Sequence, residues 1–470
     1  MRSKITLLLG ASLLAACATG PNYKPPVTPT AAAAPFLGAT SSAVAQVAPA
    51  DTWWQLYRDP VLDGLIVDAL HANTDVRVAV ARIERARATL GGAKSERFPT
   101  VTASGSPQYG RLPAYQRASG IGRESWNVDL GLDVAYEVDL FGRVSRSNEA
   151  ARGDLAAAAA DADAVRVTVV ADTVRAYVDA TAAAQQLAVA QHTVDLLDQS
   201  VRVTDRRFQV GRGQRLDVIR LNALRQQRAA LLPDFQAQRD TALFRLALLT
   251  GRTPQELPAN VSARTTIPRL DQPIPVGDGA GLLARRPDVR AAERRLAADT
   301  ARIGVATADL YPKITLGASG GSTGFGFGDI FGANPLRWLV GPMISWNFLN
   351  QGATRARIGE AKADSKADLA TFDGTVLRAL NETETALSTY AHEIDRRTAL
   401  QAARNAAADA ARITLARQRE GEIDFISLLD AQRTLADADA DLAGSDARVA
   451  VAQVNLFRAL GGNWAAQPVG

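Results

Sequence analysis

The sequence is poor in several residue types, and each shortage narrows what the protein can be. One cysteine in 470 residues excludes a disulfide within the chain. The three histidines lie in stretches with helical spacing, and no group of residues has metal-ligand spacing. Aromatic residues make up only 6%, which favours thin helix packing over a thick globular core. The charges nearly balance, 53 basic against 49 acidic residues, without a basic tail, so nucleic acid is not an expected partner.

Proline is absent from two long stretches, between Pro113 and Pro233 and between Pro342 and Pro468. Within the first, apolar residues recur every three or four positions over residues 145–208. One helix of that length would reach roughly 95 Å at about 1.5 Å per residue. We therefore expect very long helices that pack side by side as in a coiled coil. A long cytoplasmic coiled coil would give the same pattern, but the N-terminus argues against it.

The N-terminus carries an export signal. Arg2 and Lys4 precede an apolar run too short to cross a bilayer, so residues 1–16 are predicted to be a signal peptide. The following "LAAC" resembles a bacterial lipobox, in which Cys17 would carry diacylglycerol and an N-palmitoyl group. An ordinary signal peptide with an incidental cysteine is the alternative. Ala18, where an aspartate would favour the inner membrane, points to the outer membrane.

The next segment, residues 17–50, is rich in proline, alanine and threonine and has no periodicity. Such composition is typical of an extended linker, so we predict a lipidated tether here. Ordered structure is then expected to begin near "DTWWQLYRDPVLDGLI", with a helical pattern that continues to about Ser95.

The two halves of the sequence repeat one another. "NTDVRVAVARIERARATLGG" from Asn73 matches "RPDVRAAERRLAADTARIGV" from Arg286 at an offset of 213 positions, and Gly211 matches Gly421 at an offset of 210. Each copy has the pattern helix, strand, strand, helix, helix. The predicted organisation is a first repeat over 51–252, a proline-rich connector over 253–280, a second repeat over 281–463 and a C-terminal tail over 464–470.

The clearest strand pattern is "WNVDLGLDVAYEVDL", in which apolar and other residues alternate strictly from Trp126 to Leu140. A soluble sheet with one wet face would give this pattern, and so would a transmembrane barrel strand. Strands are predicted at about 98–112, 124–140, 311–325 and 338–349. Four strands cannot close a barrel, since the smallest known have about eight. Copies would therefore have to pool their strands, and a trimer would contribute twelve.

Two glycine-rich motifs suggest chemistry but lack its context. "GASGG" at Gly317 fits the G-x-S-x-G pattern of a hydrolase, yet more glycine and a strand pattern follow, without the required helix. "GGSTGFGFGD" has no lysine and no strand-to-helix setting for a phosphate loop, and an extracellular loop suits it better. We therefore predict no catalytic residue.

Several motifs, in order along the chain, resemble those of the outer-membrane factor family, the TolC-like and NodT-like exit ducts of bacterial efflux and secretion systems. They are "GPNYKPP", "WWQLYRDPVLDGLI", "DLFGR", "LLARRPDV", "YPKITL", "GEIDFISLLDAQRTL" and "NLFRALGG". The resemblance covers nearly the whole mature chain. It implies a mainly α protein with transmembrane β-structure, in which a homotrimer forms a twelve-stranded β-barrel continued by a long α-helical barrel across the periplasm.

The implied function is a passive exit duct in the outer membrane, lipid-anchored, spanning the membrane and in contact with its lipids. Drugs and toxic small molecules would be supplied by an inner-membrane pump, expected to be of the RND class, and a periplasmic adaptor. Their export would confer antibiotic resistance. No enzyme activity, metal or cofactor is expected apart from the acyl groups on Cys17. The alternative is a structural or adhesive lipoprotein that uses the helices as a periplasmic spacer and forms no pore.

In the family, residues beyond the second helix-turn-helix point form constricting rings, and Ile426 and Asp430 occupy the matching positions. Four residues apart, they share one helix face. Three copies would stack an apolar ring and a carboxylate ring that attracts cations. Asp217, after the first turn, matches a position that in some members helps to tie the closed tip together.

The two turns themselves match the periplasmic tips to which the adaptor would bind. The first carries Gly211, Arg212 and Gly213, and the second carries Gly421 and Glu422. Glycine suits a turn that requires positive φ.

Two departures limit this transfer: Ser427 stands where some members have a second ring aspartate, and Ile423 stands where some have an arginine that holds the tip closed. Both fit the lipidated efflux branch. From the residues alone, Asp430 is equally consistent with an exposed partner of Arg433, and Asp424 could cap the helix that follows.

Overall fold

The computed structural model describes residues 18–27, 30–39, 41–50, 52–111, 113, 115, 122–270, 272–331, 336–349 and 351–461. The predicted signal peptide, Cys17 and the tail over 464–470 lie outside these residues.

The described chain is mainly helical and contains six strands. The helices are α1 (Pro60–Ala72), α2 (Thr74–Ser95), α3 (Arg143–Gln209), α4 (Arg215–Ala229), α5 (Leu232–Leu249), α6 (Ala259–Ser262), α7 (Gly279–Arg285), α8 (Pro287–Ala308), α9 (Gly352–Glu420) and α10 (Phe425–Ala459). The strands are β1 (Val44–Ala45), β2 (Thr100–Arg111), β3 (Glu124–Val138), β4 (Ile274–Pro275), β5 (Lys313–Gly324) and β6 (Leu336–Ser345). The order helix, strand, strand, helix, helix therefore occurs twice, as predicted. Among the described helices, none combines the length and the apolar character that crossing a bilayer would require.

The last helix of each copy differs because of one proline. In the first copy α4 ends at Ala229 and α5 begins at Leu232, with Pro233 in its first turn. Proline has no amide to donate within a helix and is tolerated only in such a first turn. The second copy has no proline there, and α10 runs unbroken for 35 residues.

The helix predicted to continue to Ser95 is interrupted at Asn73, so that expectation was wrong. Asn73 has an extended ψ of 133°, and its side-chain oxygen accepts a hydrogen bond of 2.8 Å from the Asp75 amide, which starts α2. The matching residue of the second copy, Arg286, has a ψ of 120° and ends α7. Arg286 precedes Pro287, which disfavours helical geometry at the residue before it.

Contacts divide the chain into two units. Unit 1 comprises the described residues of Met1–Pro26, Arg82–Ala159 and Ala291–Asp373. Unit 2 comprises the described residues of Val27–Ala81, Ala160–Arg290 and Gly374–Gly470. Each long helix, α3 and α9, contributes residues to both.

Unit 1 contains an antiparallel sheet in the order β2-β3-β5-β6. Its strands lie within the predicted ranges, except that β6 begins two residues earlier, at Leu336. The strict alternation in β3 gives the sheet an apolar face, with Leu130 and Leu132, and a polar face, with Asp129 bound to Arg337 at 2.7 Å. In the described part of the chain β2 and β6 each pair on one side only.

The segment predicted to be an extended tether is instead packed, and this expectation was also wrong. In unit 1 the Thr19 amide and hydroxyl both donate to the Phe141 carbonyl, at 3.1 and 2.9 Å. Buried Arg146 donates to the Thr19 carbonyl and, at 2.6 Å, to the side chain of Asn22. A Cβ on Gly20 would lie 2.5 Å from the Cα of Gly304, so the segment lies directly on α8.

In unit 2 the later part of this segment is packed as well. Phe36 is buried in the hydrophobic core, and both carboxylate oxygens of Glu384 accept hydrogen bonds from the Leu37 and Gly38 amides, at 2.7 and 2.9 Å. Strand β1 then pairs with β4. The contacts use mainly backbone groups, which explains why residues 17–50 show no periodic side-chain pattern.

Unit 2 holds a large hydrophobic core that contains several of the aromatic residues. Trp53 stacks on Phe457 with ring centroids 4.4 Å apart, and Tyr177 is completely buried beside them in the same cluster. The low aromatic content therefore does not exclude a compact core; it is compatible with one core and long slender helices elsewhere.

Candidate functional site

The candidate site comprises two turns of unit 2: the first turn, residues 210–214 between α3 and α4, and the second turn, residues 421–424 between α9 and α10. Both use the same helix ending. Arg212 donates its amide to the Arg207 carbonyl at 2.8 Å, and Glu422 donates its amide to the Arg417 carbonyl at 3.0 Å. This bond across six residues is the mark of a Schellman motif, which satisfies carbonyls left free at the helix end.

Gly211 and Gly421 adopt φ values of +73° and +79°, the conformation that the motif requires. A Cβ on either would meet no atom within 4 Å, so backbone conformation alone, and not space, calls for glycine here. Gly213 is different, because a Cβ there would come within 3.3 Å of the Phe208 amide nitrogen. The predicted tip residues are all exposed, Arg212 and Glu422 included.

The two turns start their next helices differently. Asp424 caps α10: one of its carboxylate oxygens accepts hydrogen bonds from the Ser427 hydroxyl at 2.6 Å and the Ser427 amide at 2.9 Å. In the first turn Gln214 occupies the capping position and makes no such side-chain bond. The cap predicted for Asp424 is therefore confirmed, and Ser427 completes it.

The cap is expected to make the first turn of α10 sensitive to acid. Hydrogen bonds from the Ser427 side chain and amide hold the pKa of Asp424 below its usual value. A carboxylate of this kind stabilises the fold above its unfolded pKa of about 3.9, and the contribution is lost as the pH falls through the lower folded value. Protection of the Ser427 amide from hydrogen exchange should thus persist at about pH 5 and fall below about pH 4. Asp424→Asn, which caps without titrating, should not show this loss of protection at low pH. The same loss in that variant would contradict the assignment of the pH dependence to the Asp424 carboxylate.

Leucines hold the two turns together. Leu197 of α3 and Leu221 and Leu224 of α4 are buried in one cluster, against which Phe425 and Leu429 of α10 pack. These residues were not among the predicted site residues, although the spacing of three between Leu221 and Leu224 marks one helix face.

A polar bond adds to this packing: Gln432 of α10 donates to the Ser200 hydroxyl of α3 at 3.1 Å. Nothing in the local pattern of either helix distinguishes this pair, because they are 232 positions apart in the chain.

Ile426 and Asp430, the predicted gate pair, lie on the side of α10 away from the leucine cluster. Ile426 is 55% exposed and Asp430 is exposed, whereas Leu428 between them is buried. Arg433, which the sequence left open as a partner of Asp430, lies 3.9 Å from Asp437. An isoleucine that remains half in water on an otherwise packed helix is available for contact with another chain.

Asp217, the third predicted gate residue, lies in the first turn of α4 and is partly buried. Its amide donates to the Gln214 carbonyl at 3.1 Å. The first turn and the start of α4 are basic, with exposed Arg212, Arg215 and Arg220. The second turn carries an acid, Glu422, which lies 3.8 Å from Arg417. The contrast in charge between the duplicated turns is thus kept on the surface.

The "GASGG" motif does not have the structure of a nucleophile elbow. "GASGG" lies inside β5, which continues beyond it to Gly324 and is not followed by the helix that a nucleophile elbow needs. Within the described residues there is no group of three or more histidine, cysteine, aspartate or glutamate side chains that could hold a metal ion.

Comparisons with known proteins agree with this architecture. The family model described as outer membrane efflux protein matches residues 65–252 and 281–462. Outer membrane protein OprJ of Pseudomonas aeruginosa is 32% identical over 466 residues, which cover 98% of this chain and 96% of OprJ. Nodulation protein T of Rhizobium leguminosarum bv. trifolii is 31% identical over 437 residues, which cover 92% of this chain and 91% of that protein.

Solved structures show the same fold. The outer-membrane channel OprN matches with a TM-score of 0.88 and 37% identity, covering 95% of this chain and 100% of the OprN chain. The open state of the MtrE outer membrane channel of Neisseria gonorrhoeae matches with a TM-score of 0.84 and 28% identity, covering 95% and 98%. Because the family model matches most of the chain, this protein belongs to the outer membrane efflux protein family.

Proposed function

We propose that the protein is the outer-membrane exit duct of a tripartite efflux system, and that it passively conducts small molecules delivered by an inner-membrane pump and a periplasmic adaptor. The observation that carries this is the sheet of unit 1, which has one apolar face and two edges, β2 and β6, that pair on one side only. Family membership supports it, as do relatives such as the toluene efflux pump outer membrane protein TtgC of Pseudomonas putida.

The open sheet edges support a homotrimer. A spanning sheet must close so that no backbone group is left unpaired in lipid. Four strands are too few to close a barrel, whereas three copies supply twelve. In such a trimer β2 of one copy would pair with β6 of the next. The long helices α3 and α9 would continue this barrel through the periplasm.

The two turns would lie at the periplasmic end of the duct. Their exposed residues, Gly211, Arg212, Gly213, Gly421 and Glu422, are proposed to bind the adaptor. Three copies of Ile426 and Asp430 would form the apolar and carboxylate rings of a gate, with Asp217 of the first turn beside it. Drugs and toxic small molecules would be the cargo, since relatives include outer membrane proteins of antibiotic and toluene efflux pumps. The inner-membrane pump would be an RND transporter.

Cys17 is proposed to carry the lipid anchor. Its neighbour Ala18 is the first described residue, and a Cβ on Gly142 would lie 2.9 Å from the Cα of Ala18. Cys17→Ser is expected to abolish incorporation of labelled palmitate while the trimer still forms. Thr19→Ser, which keeps the hydroxyl donated to Phe141, is the control and should label normally; continued labelling of the Cys17 variant would refute the anchor.

We infer that the protein is a channel and not an enzyme, which its kinship with channels supports. Reconstitution in planar bilayers tests this. Purified trimers should give discrete single-channel steps whose cation preference falls at high salt, because ions screen the carboxylates. A stable, correctly folded protein that forms no trimers and gives no steps would instead favour a structural lipoprotein that uses its helices as a spacer.

A further inference from the structure

The loop that follows β5 folds back over the sheet. It comprises residues 325–331 and ends in a short 3-10 turn, Asp329–Phe331. The Ser322 hydroxyl donates to the Ile330 carbonyl at 2.7 Å, and the ring of Phe327 lies 5.2 Å from that of Trp126 on β3. The loop therefore does not extend away from the end of the strands.

The strand register identifies the face on which the loop lies. Val128 pairs with Gly324 and Leu130 with Ser322, so all four share the apolar face with Trp126. Val128 is only 2% exposed because the loop covers it, whereas Leu130 further along the strand is 43% exposed. The charged pair of Asp129 and Arg337 lies on the opposite face.

The close approach of the loop depends on glycine. A Cβ on Gly324 would lie 2.7 Å from the Cβ of Asp329 and 3.1 Å from its carbonyl carbon. Any side chain at position 324 would push the loop off the strand, so the folded-back arrangement requires glycine there.

The outer side of the loop is apolar and exposed. Phe331 is 84% exposed and Phe327 54%. On the apolar face of β6, in the same sheet, Trp338 is 81% exposed. Asp329 is the only charged residue between Phe325 and Phe331. Rings in such a position would be unfavourable in water, but aromatic side chains are typical of the membrane-water boundary of barrel proteins.

We propose that residues 325–331 form a lipid-binding flap, whose phenylalanine rings insert among the acyl chains of the outer leaflet on the outside of the barrel. The argument for lipid is continuity, since the flap covers and extends the same face that a spanning sheet turns toward the bilayer. The proposal rests on the proposed function only in requiring that this sheet spans the membrane.

Fluorescence quenching in phosphatidylcholine vesicles tests the flap. A polarity-sensitive fluorophore is attached to Phe331→Cys in the full-length trimer, and lipids with a spin-labelled acyl chain are compared with iodide in the water. Trp338→Cys on the apolar face and Leu339→Cys on the opposite face of β6 are matched controls, both residues being highly exposed. The lipid quencher should act several-fold more strongly at positions 331 and 338 than at 339, and iodide should act in the reverse order.

Adding Gly324→Val to Phe331→Cys should shift quenching at position 331 from lipid toward iodide, and Phe327→Cys provides a second labelling site if the first variant folds poorly. Iodide quenching at 331 and 327 equal to that at 339, with 338 still quenched by lipid, overturns the flap but leaves the duct intact. If 338 is also quenched by iodide alone, the sheet does not span the membrane and both proposals fail.

Discussion

Replacing Ile426 and Asp430 together by alanine is expected to raise single-channel conductance several-fold and to admit large antibiotics into cells. Ile426 is half exposed on the side of α10 away from the leucine cluster, so its truncation should not disturb the packing that holds the turns together. In the proposed trimer, alanine at position 426 would remove the ring of isoleucine side chains from the threefold axis. Alanine at position 430 would remove the carboxylate ring. The variant channel should therefore be wider and less selective for cations.

The duplicated first turn provides the matched control. Leu216 and Arg220 stand at the positions that correspond to Ile426 and Asp430, and both are exposed. Alanine at these two positions removes one apolar and one charged side chain, the charge being of opposite sign, from the start of α4 and should leave conductance nearly unchanged. Equal effects of the two double variants, or an unchanged leak through the Ile426 and Asp430 variant at normal expression, would show that the constriction lies elsewhere.

Arg286→Leu is expected to lower the free energy of unfolding by about 2–4 kcal/mol. The Arg286 side chain is 10% exposed and donates to the Ala459 carbonyl at 2.9 Å, to Glu382 at 2.8 Å and to both carboxylate oxygens of Asp288. Burial by itself would lower the pKa of Arg286, but its bonds and charge interactions with Asp288, followed by those with Glu382, raise it. The guanidinium is thus charged and bonded at all three of its nitrogens inside unit 2.

The expected loss comes mostly from the buried Ala459 carbonyl at the end of α10, which leucine would leave with only the longer bond of 3.4 Å from the Thr383 hydroxyl. Asp288 and Glu382 are partly exposed and can be hydrated, so their share is smaller. The free energy of unfolding of Arg286→Lys should lie between those of the wild type and Arg286→Leu, because an ammonium cannot reach three partners.

Urea unfolding in detergent, followed by circular dichroism, measures the change. Arg412→Leu is the control: it breaks an exposed pair with Asp409 and should cost less than about 0.5 kcal/mol. If the free energy of unfolding of Arg286→Leu lies within about 0.5 kcal/mol of the wild type, the hydrogen bonds and ion pairs of Arg286 contribute little to stability.

Features with a local cause could be predicted from sequence. The alternation in β3 marked a strand because the side-chain period of a strand is two, and the observed strand begins at Glu124 as predicted. The two turns were located from Gly211 and Gly421, because positive φ is costly for any other residue. The acid that caps α10 was likewise readable, since a cap and its bonded amide lie within three residues.

Features that depend on distant partners could not be predicted. Residues 18–50 have the composition of a linker, yet Thr19 bonds with Phe141, 122 positions away, and Leu37 bonds with Glu384, 347 positions away. The helix break at Asn73 had no glycine or proline to mark it, although the equivalent Arg286 precedes a proline.

By itself, therefore, the sequence determined the duplicated architecture, the strands with their two faces, the presence of very long helices and the turns, because each follows from short-range periodicity or from the φ preference of one residue. Only the tertiary structure decided that the N-terminal segment is packed, that Arg286 holds the end of α10, that Ile426 and Asp430 stay exposed while Leu428 is buried, and that a glycine-rich loop covers part of the apolar face of the sheet. These depend on which distant surfaces meet, and a contact between residues more than a hundred positions apart leaves no period in the chain.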